Sequence, residues 1–163
     1  MAAIQARAWR AAYAELLPAE AIAETEFAQV WSAAVRTPPT ARHHVLVAID
    51  GAELVGFAAF GPADTHPDLD PGTDVELHSL VVDGAAQRAG HGSRLQAAFV
   101  DIARGDGFVR ACCWVALGDD VLRTFLLGSG WGPDGAVREL DLRGDGEVLV
   151  RQTRLRTLLG DEG

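Results

Sequence analysis

Lysine is absent from this 163-residue chain, so all 14 basic residues are arginine. That excludes a P-loop, whose G-x-x-x-x-G-K-[ST] signature places an ammonium on the phosphates. Cysteine is scarce too: Cys112 and Cys113 stand side by side in an apolar segment. Two adjacent thiols are neither a disulfide framework nor a metal-ligand spacing, so they are read as strand packing in a reducing, cytoplasmic compartment. No metal site is expected. No apolar run approaches the roughly 18 residues of a membrane span. The opening "MAAIQARAWRAAYAELL" is amphipathic, with Arg7 and Arg10 inside the pattern, and lacks the apolar block of a secretory signal. A serine-hydrolase elbow, G-x-S-x-G, is also missing.

Positive charge is in short supply, and formal net charge is −9 at pH 7. An acidic surface argues against nucleic-acid binding, which relies on basic patches. It favours approach of a cationic substrate such as an amine, although solubility alone accounts for it equally well. The missing lysines, beside abundant alanine, glycine and arginine, are read as coding bias without mechanistic meaning.

What is present suits a single globular domain over residues 1–163: 48% of the residues are hydrophobic, enough for a substantial core. Helical spacing runs over residues 3–17 through Ile4, Ala8, Ala11, Ala12 and Leu16 until Pro18, then over 19–35 through Ile22, Phe27, Val30, Trp31 and Ala34. After the breaker "TPP", strands are expected at 43–50 and 54–62, joined as a hairpin by "GAE". A polar loop rich in proline and aspartate covers 61–74, and a third strand runs over 75–83. A helix is expected over 93–104, a strand over 109–117, a short glycine-capped helix over 119–130, and a closing hairpin of 136–142 and 148–159. Helices, hairpins and a strand–turn–helix–strand unit together imply an α/β domain with a mixed sheet.

The most informative stretch is "VELHSLVVDGAAQRAGHGSRL", residues 75–95. An apolar strand enters a tight turn, and Gln87, Gly90 and Gly92 precede a helix start. The first N–H groups of such a helix lack intrahelical partners, and its dipole leaves partial positive charge there. Glycines without side chains let a phosphate approach the main chain, with Arg88 and Arg94 adding attraction at longer range. An anion cradle and an ordinary strand-to-helix turn remain equally open on the glycines alone. A dinucleotide fingerprint is not met, because "GHGSRL" puts Leu95 where the third glycine belongs.

Gln87-Arg88-Ala89-Gly90-His91-Gly92 matches the [Q/R]-x-x-G-x-[G/A] signature of the GNAT superfamily of acyl-CoA N-acyltransferases, which the chain resembles over nearly its whole length. "DDVLRTFLLGSGW" supplies Phe125, Gly130 and Trp131 at the spacing of that family's N-x-x-A-x-x-F-Y-x-x-x-G-[F/W], and "ARAWRAAYAELLP" is similar to the first helices of many bacterial members. The resemblance implies a mixed, mostly antiparallel sheet, splayed beside its central strand and flanked by helices. It also implies acetyl-CoA as co-substrate, with its pantetheine arm along the main chain of Leu80, Val81 and Val82. The diphosphate would rest on Gln87, Arg88, Ala89, Gly90, His91, Gly92 and Ser93, and Asp119, Arg123 and Phe125 would flank the cofactor.

Glu76 matches the position of the strand-borne glutamate that serves as base in many relatives. In a regular strand residues 76, 78, 80 and 82 share a face, so Glu76 and His78 should point to one side. A salt bridge for Glu76 and a cavity-capping role for His78 are the bland alternatives. Trp9 and Tyr13 match the helix that walls the acceptor site in relatives, with core packing the simpler reading for Trp9. The chain departs from the family twice: its usual acid tyrosine falls on Leu126 and its usual asparagine on Asp119, and no strand precedes the first helix. A missing strand leaves an open sheet edge, which favours a homodimer. His43 and His44 are read as surface or substrate-loop residues, His66 as part of a solvated turn, and His91 as facing solvent. The function implied is acetyl transfer to a primary amine, in a small molecule, a protein N-terminus or a lysine; a catalytically weak acyl-CoA sensor is the alternative.

Overall fold

The computed structural model describes residues 1–13, 24–64, 66–141, 146 and 149–160. Among the described residues, four α-helices and six strands follow one another along the chain: α1 (Ala2–Ala12), α2 (Glu24–Arg36), β1 (His44–Asp50), β2 (Glu53–Pro62), β3 (Asp74–Val82), α3 (His91–Gly105), β4 (Arg110–Ala116), α4 (Asp120–Gly128), β5 (Gly132–Asp141) and β6 (Leu149–Leu158). The strands form one sheet in the order β1-β2-β3-β4-β6-β5. Every neighbouring pair is antiparallel except β3 and β4, which are parallel. α3 makes the crossover between them, as a parallel pair requires.

The sheet is covered on both faces. On one, α3 and α4 bury Phe99, Leu126 and Trp131 against Phe60, Val75, Leu77 and Leu155. On the other, Ile4 and Trp31 from α1 and α2 pack on Phe57 and Ala59 of β2. Trp31 donates its indole N–H to the buried Gln5 side chain, which satisfies a polar group where the two helices meet.

Three sequence expectations shift. α1 ends at Ala12, and Tyr13 is its C-cap with φ −116°, so the only tyrosine of the chain stands just past the helix rather than inside it. The remainder of the expected first helix, the start of the second and most of the 143–147 turn lie outside the described residues. β5 starts at Gly132, four residues before the expected 136, because β6 offers it a partner over Gly132 and Pro133. Proline carries no strand signal; tertiary pairing overrides it.

The third shift concerns β3. Ala59 pairs with Ser79 but Phe60 pairs with Leu77, so His78 is an extra residue opposite the β2 ladder. This bulge breaks the alternation. Val75 and Leu77 belong to the α3-side core, and so do Leu80 and Val82. Glu76 therefore does not share a face with Leu80 and Val82; the odd-numbered and even-numbered positions exchange sides across His78. Bulges re-aim side chains and raise local twist, and they recur beside functional sites.

Candidate active site in the splay between two parallel strands

β3 and β4 pair over three positions only, Asp74 with Arg110, Val75 with Ala111 and Glu76 with Cys112. Beyond Glu76 the strands diverge. β4 stays paired to β6 through Ala116 and β3 to β2 through Val82, so their facing edges open into a wedge. The closed end is clamped by Arg110, whose Nε and Nη2 donate to the two oxygens of the buried Asp74 at 2.5 and 2.9 Å. Main-chain groups on the open edges have no strand partner there, and an extended ligand carrying amides could pair with them.

A cavity fills the wedge, bounded by β3 from Glu76 to Val81, by Trp114 and Ala116 of β4, by Trp9 and Tyr13 from α1 and its cap, and by Asp119. Glu76 is 3% exposed at its closed end. His78 Nδ1 lies 3.4 Å from Glu76 Oε1, and Arg138 Nη2 of β5 lies 3.9 Å from the same oxygen. The second oxygen, Oε2, is buried and has no hydrogen-bond partner among the described residues. Burial pushes the carboxyl pKa up, but His78, Arg138 and a weaker pull from the Asp64 backbone N–H outweigh it and leave it below its ordinary value. Glu76 is therefore an anion at neutral pH with one acceptor atom unused. A buried unused acceptor of this kind is costly unless a donor arrives.

Tyr13 is 7% exposed and packs edge-on to Trp9, with ring centroids 5.2 Å apart. Burial, and then the nearby Asp119, push its pKa up to about 12, so the hydroxyl keeps its proton across the neutral range. Asp119 caps α4 by accepting from Leu122 N–H at 3.0 Å, and burial raises its pKa despite that bond. Gly118 places α1 against the start of α4: a Cβ there would lie 3.1 Å from the Ala12 carbonyl oxygen. Leu126 is fully buried in the α3-side core.

At the wide end of the wedge β3 enters a 3-10 turn (Gly84–Ala86) and then α3. Gln87 reaches back to the Val82 carbonyl with Nε2 at 3.4 Å. Arg88 and Gly90 both have positive φ, 64° and 83°, and Gly90 is the N-cap of α3 with no side-chain hydrogen bond on the helix N–H groups. A Cβ on Gly92 would lie 3.6 Å from the Phe125 ring, so Phe125 closes one wall of a bare-backbone cradle. Arg88, Ala89 and Ser93 stand exposed around it. The cradle fits a diphosphate: free N–H groups, the positive end of a helix dipole and no side chain in the way.

One sequence expectation fails here. His91 is 4% exposed, not solvent-facing: its Nδ1 accepts from Arg94 at 2.9 Å, and its Nε2 points at Asp50, 3.6 Å away. As the first residue of α3 it turns inward to dock the helix on the β1–β2 hairpin. Arg123, on α4 with Phe125, donates to Thr153 Oγ1 of β6 at 3.2 Å. His43 stands in the loop just before β1, and His44 opens that strand. The His43 ring fills the space a side chain at Gly61 would need, and His44 pairs with Asp106 at 2.7 Å. His66 is part-exposed and bonded to Asp68, as a solvated turn requires. Cys112 and Cys113 are buried strand residues whose thiols burial holds protonated, Cys112 up to about 12.

Arg138, Trp114 and Gln152 were missed from the sequence. Arg138 Nε donates to Gln152 Oε1 at 2.7 Å, and its guanidinium lies 4.4 Å from the Trp114 ring centroid. Three strands meet to make that group, and no local motif announces it.

Comparison with known proteins agrees with this geometry. A search of curated proteins finds no match. Among solved structures, the PaiA N-acetyltransferase of Thermoplasma acidophilum in complex with coenzyme A superposes with a TM-score of 0.71 at 16% identity, over 96% of this chain and 89% of that one. The yncA protein of Salmonella typhimurium, described as a putative acetyltransferase with its cofactor acetyl-CoA, gives 0.66 at 16% identity over 99% and 88%. A ribosomal-protein-alanine N-acetyltransferase from Brucella melitensis gives 0.66 at 19% over 96% and 91%. At these identities the likeness establishes the fold. The model of the acetyltransferase (GNAT) family matches residues 4–126, and the chain belongs to that family of acyl-CoA-dependent N-acetyltransferases.

Proposed function

We propose that this protein moves an acetyl group from acetyl-CoA to a primary amine by direct attack in a ternary complex, within one acetyltransferase domain spanning residues 1–163. The observation that carries the proposal is the buried, unpartnered Oε2 of Glu76 at the closed end of the wedge. An ammonium entering the cavity supplies the missing donor, and the carboxylate then takes its proton, directly or through water. Acetyl-CoA would supply the activated acetyl group: the amine nitrogen gains the acetyl carbon, the C–S bond breaks, and coenzyme A leaves as the thiol. The main chain of Leu80, Val81 and Val82 holds its arm, and the amides from Gln87 to Ser93, walled by Phe125, hold its diphosphate. The amine has an ordinary pKa near 10, so removing its proton is the first barrier, and an anionic carboxylate held in place lowers it. Tyr13 Oη carries a proton on the same cavity and is the group we assign to the departing sulfur in place of Leu126. Trp9 and His78 line the acceptor side.

A second reading, a catalytically weak acyl-CoA sensor, is favoured by Leu126 being sealed in the core. Among the described residues no helix is long and apolar enough to cross a membrane. The cytoplasmic location and homodimer are part of the proposal; the free thiols and the open β1 edge, with Val47 and Ile49 exposed, support them. Calorimetric titration with acetyl-CoA, followed by a thiol-release assay over a panel of amines, tests all of it. Binding with amine-dependent release is expected. Binding without release on any amine selects the sensor, and no binding at all removes both readings.

A further inference from the structure

We infer that the acceptor is an α-amino acid, its carboxylate held by Arg138 while its amine meets Glu76; this rests on the N-acetyltransferase reading above. Two arginines on neighbouring strands flank Trp114, and they are used differently. Arg154 is 2% exposed and spends its donors on carboxylates: Nε on Asp134 at 2.7 Å, Nη1 on Asp68 at 3.0 Å and Nη2 on the other Asp68 oxygen. It is a structural cation, fully paired.

Arg138 is paired more loosely: among the described residues its one ion pair is the 3.9 Å approach of Nη2 to Glu76 Oε1. Gln152, itself 7% exposed, takes Nε through a neutral amide oxygen, and Trp114 supports the flat face. Its Nη groups make no hydrogen bond among the described residues: the approach to Glu76 Oε1 is 3.9 Å, beyond hydrogen-bond reach, and His78 stands nearer to that oxygen at 3.4 Å. Arg138 lines the cavity, and its side chain is 36% exposed. A planar cation locked by its Nε and its face, with two NH₂ groups on a cavity wall that no described residue hydrogen-bonds, matches a carboxylate fork.

The spacing selects the ligand class. Glu76 Oε2 needs a cationic donor, and the guanidinium fork lies beside the same carboxyl group. The ligand must therefore carry positive and negative groups on adjacent atoms. In an α-amino acid the nitrogen and carboxylate oxygens are about 3 Å apart by standard bond lengths. A lysine-type ω-amine stands roughly twice as far from its own carboxylate, and a peptide's amino terminus offers only a neutral carbonyl at that position. Both leave either the buried Glu76 or the half-exposed Arg138 unmatched.

The test uses the intact protein with acetyl-CoA and a panel of L-α-amino acids, each beside its primary amide and the amine lacking the carboxylate. At least one free amino acid should exceed its own amide in kcat/KM by roughly tenfold or more, the worth of a charge-assisted hydrogen bond. Arg138→Gln should erase that gap by raising KM for the acid while leaving the amide unchanged. Calorimetry of the amino acid into protein saturated with coenzyme A reads the same site without turnover. Binding that Arg138→Gln abolishes supports an amino-acid site at Arg138 and Glu76 even if no amine is acetylated; that outcome removes the enzyme reading, and with it the acceptor role, and leaves the amino acid as a ligand. Amides or plain amines matching every acid, an equal loss for acid and amide in Arg138→Gln, or neither binding nor turnover of any amino acid would overturn it.

Discussion

The two halves of β3 are built to opposite ends. From Asp74 to Glu76 the strand is paired on both edges, and the Asp74–Arg110 clamp locks the parallel partner in register. From Leu77 to Val82 it is paired on one edge only, and the bulge at His78 changes which side chains face the open wedge. The first half is a hinge that must not open, and the second is an opening that must not close. Glu76 sits at the boundary, covered enough to be precise in position and open enough to leave one oxygen unused.

Substitutions that touch only one half should separate binding, chemistry and stability. The largest effect is expected from Gly90→Glu, which puts a β-carbon at φ 83° and a negative charge at the anion end of the wedge. Acetyl-CoA binding should fall below calorimetric detection while the melting temperature drops only a little. Next comes Glu76→Gln at the boundary. Its kcat/KM should fall about a hundredfold or more, the usual worth of a positioned general base. Affinity for acetyl-CoA should stay as it is, because the cradle lies at the other end.

On the closed half, Asp74→Asn removes the charge partner of the part-exposed Arg110 and should cost on the order of 1 kcal/mol, measured as a shift in urea midpoint. Acetyl-CoA should still stabilise the variant. Tyr13→Phe should lower kcat about tenfold or more with acetyl-CoA, since the hydroxyl that holds its proton to about pH 12 is gone. A thioester with a more acidic leaving thiol should be far less affected. An equal loss with both donors would mean that Tyr13 only packs.

The smallest effect is a pH dependence. Glu76 has a folded-state pKa below its ordinary 4.5, so the unfolded chain binds the proton more tightly. Its contribution to stability is present above that value and is lost as pH falls through the lower, folded one. Glu76→Gln should remove that part of the acid slope in urea midpoints and leave the neutral plateau's shape unchanged.

Most of this architecture was legible from the chain. The helical spacing of Ile4, Phe27 and Trp31 located the helices of one face, and "QRAGHG" before an amphipathic helix marked the cradle. Both signals are local: hydrophobic period and backbone freedom act within a few residues. The inward turn of His91 was not legible, because its partner Asp50 lies on a hairpin some forty positions earlier. The bulge at His78 was hidden for a related reason. A strand's own sequence has period 2, and the extra residue is defined only against the β2 ladder.

By itself, then, the sequence determined the family, the order of elements and the bare-backbone cradle, since glycines and apolar spacing state these along the chain. Tertiary structure alone decided where β3 and β4 part, which Glu76 oxygen stays unused, and which arginine beside Trp114 is already fully paired. Those properties belong to distances between strands, and Arg138 and Arg154 differ in the carboxylates that the fold brings to each.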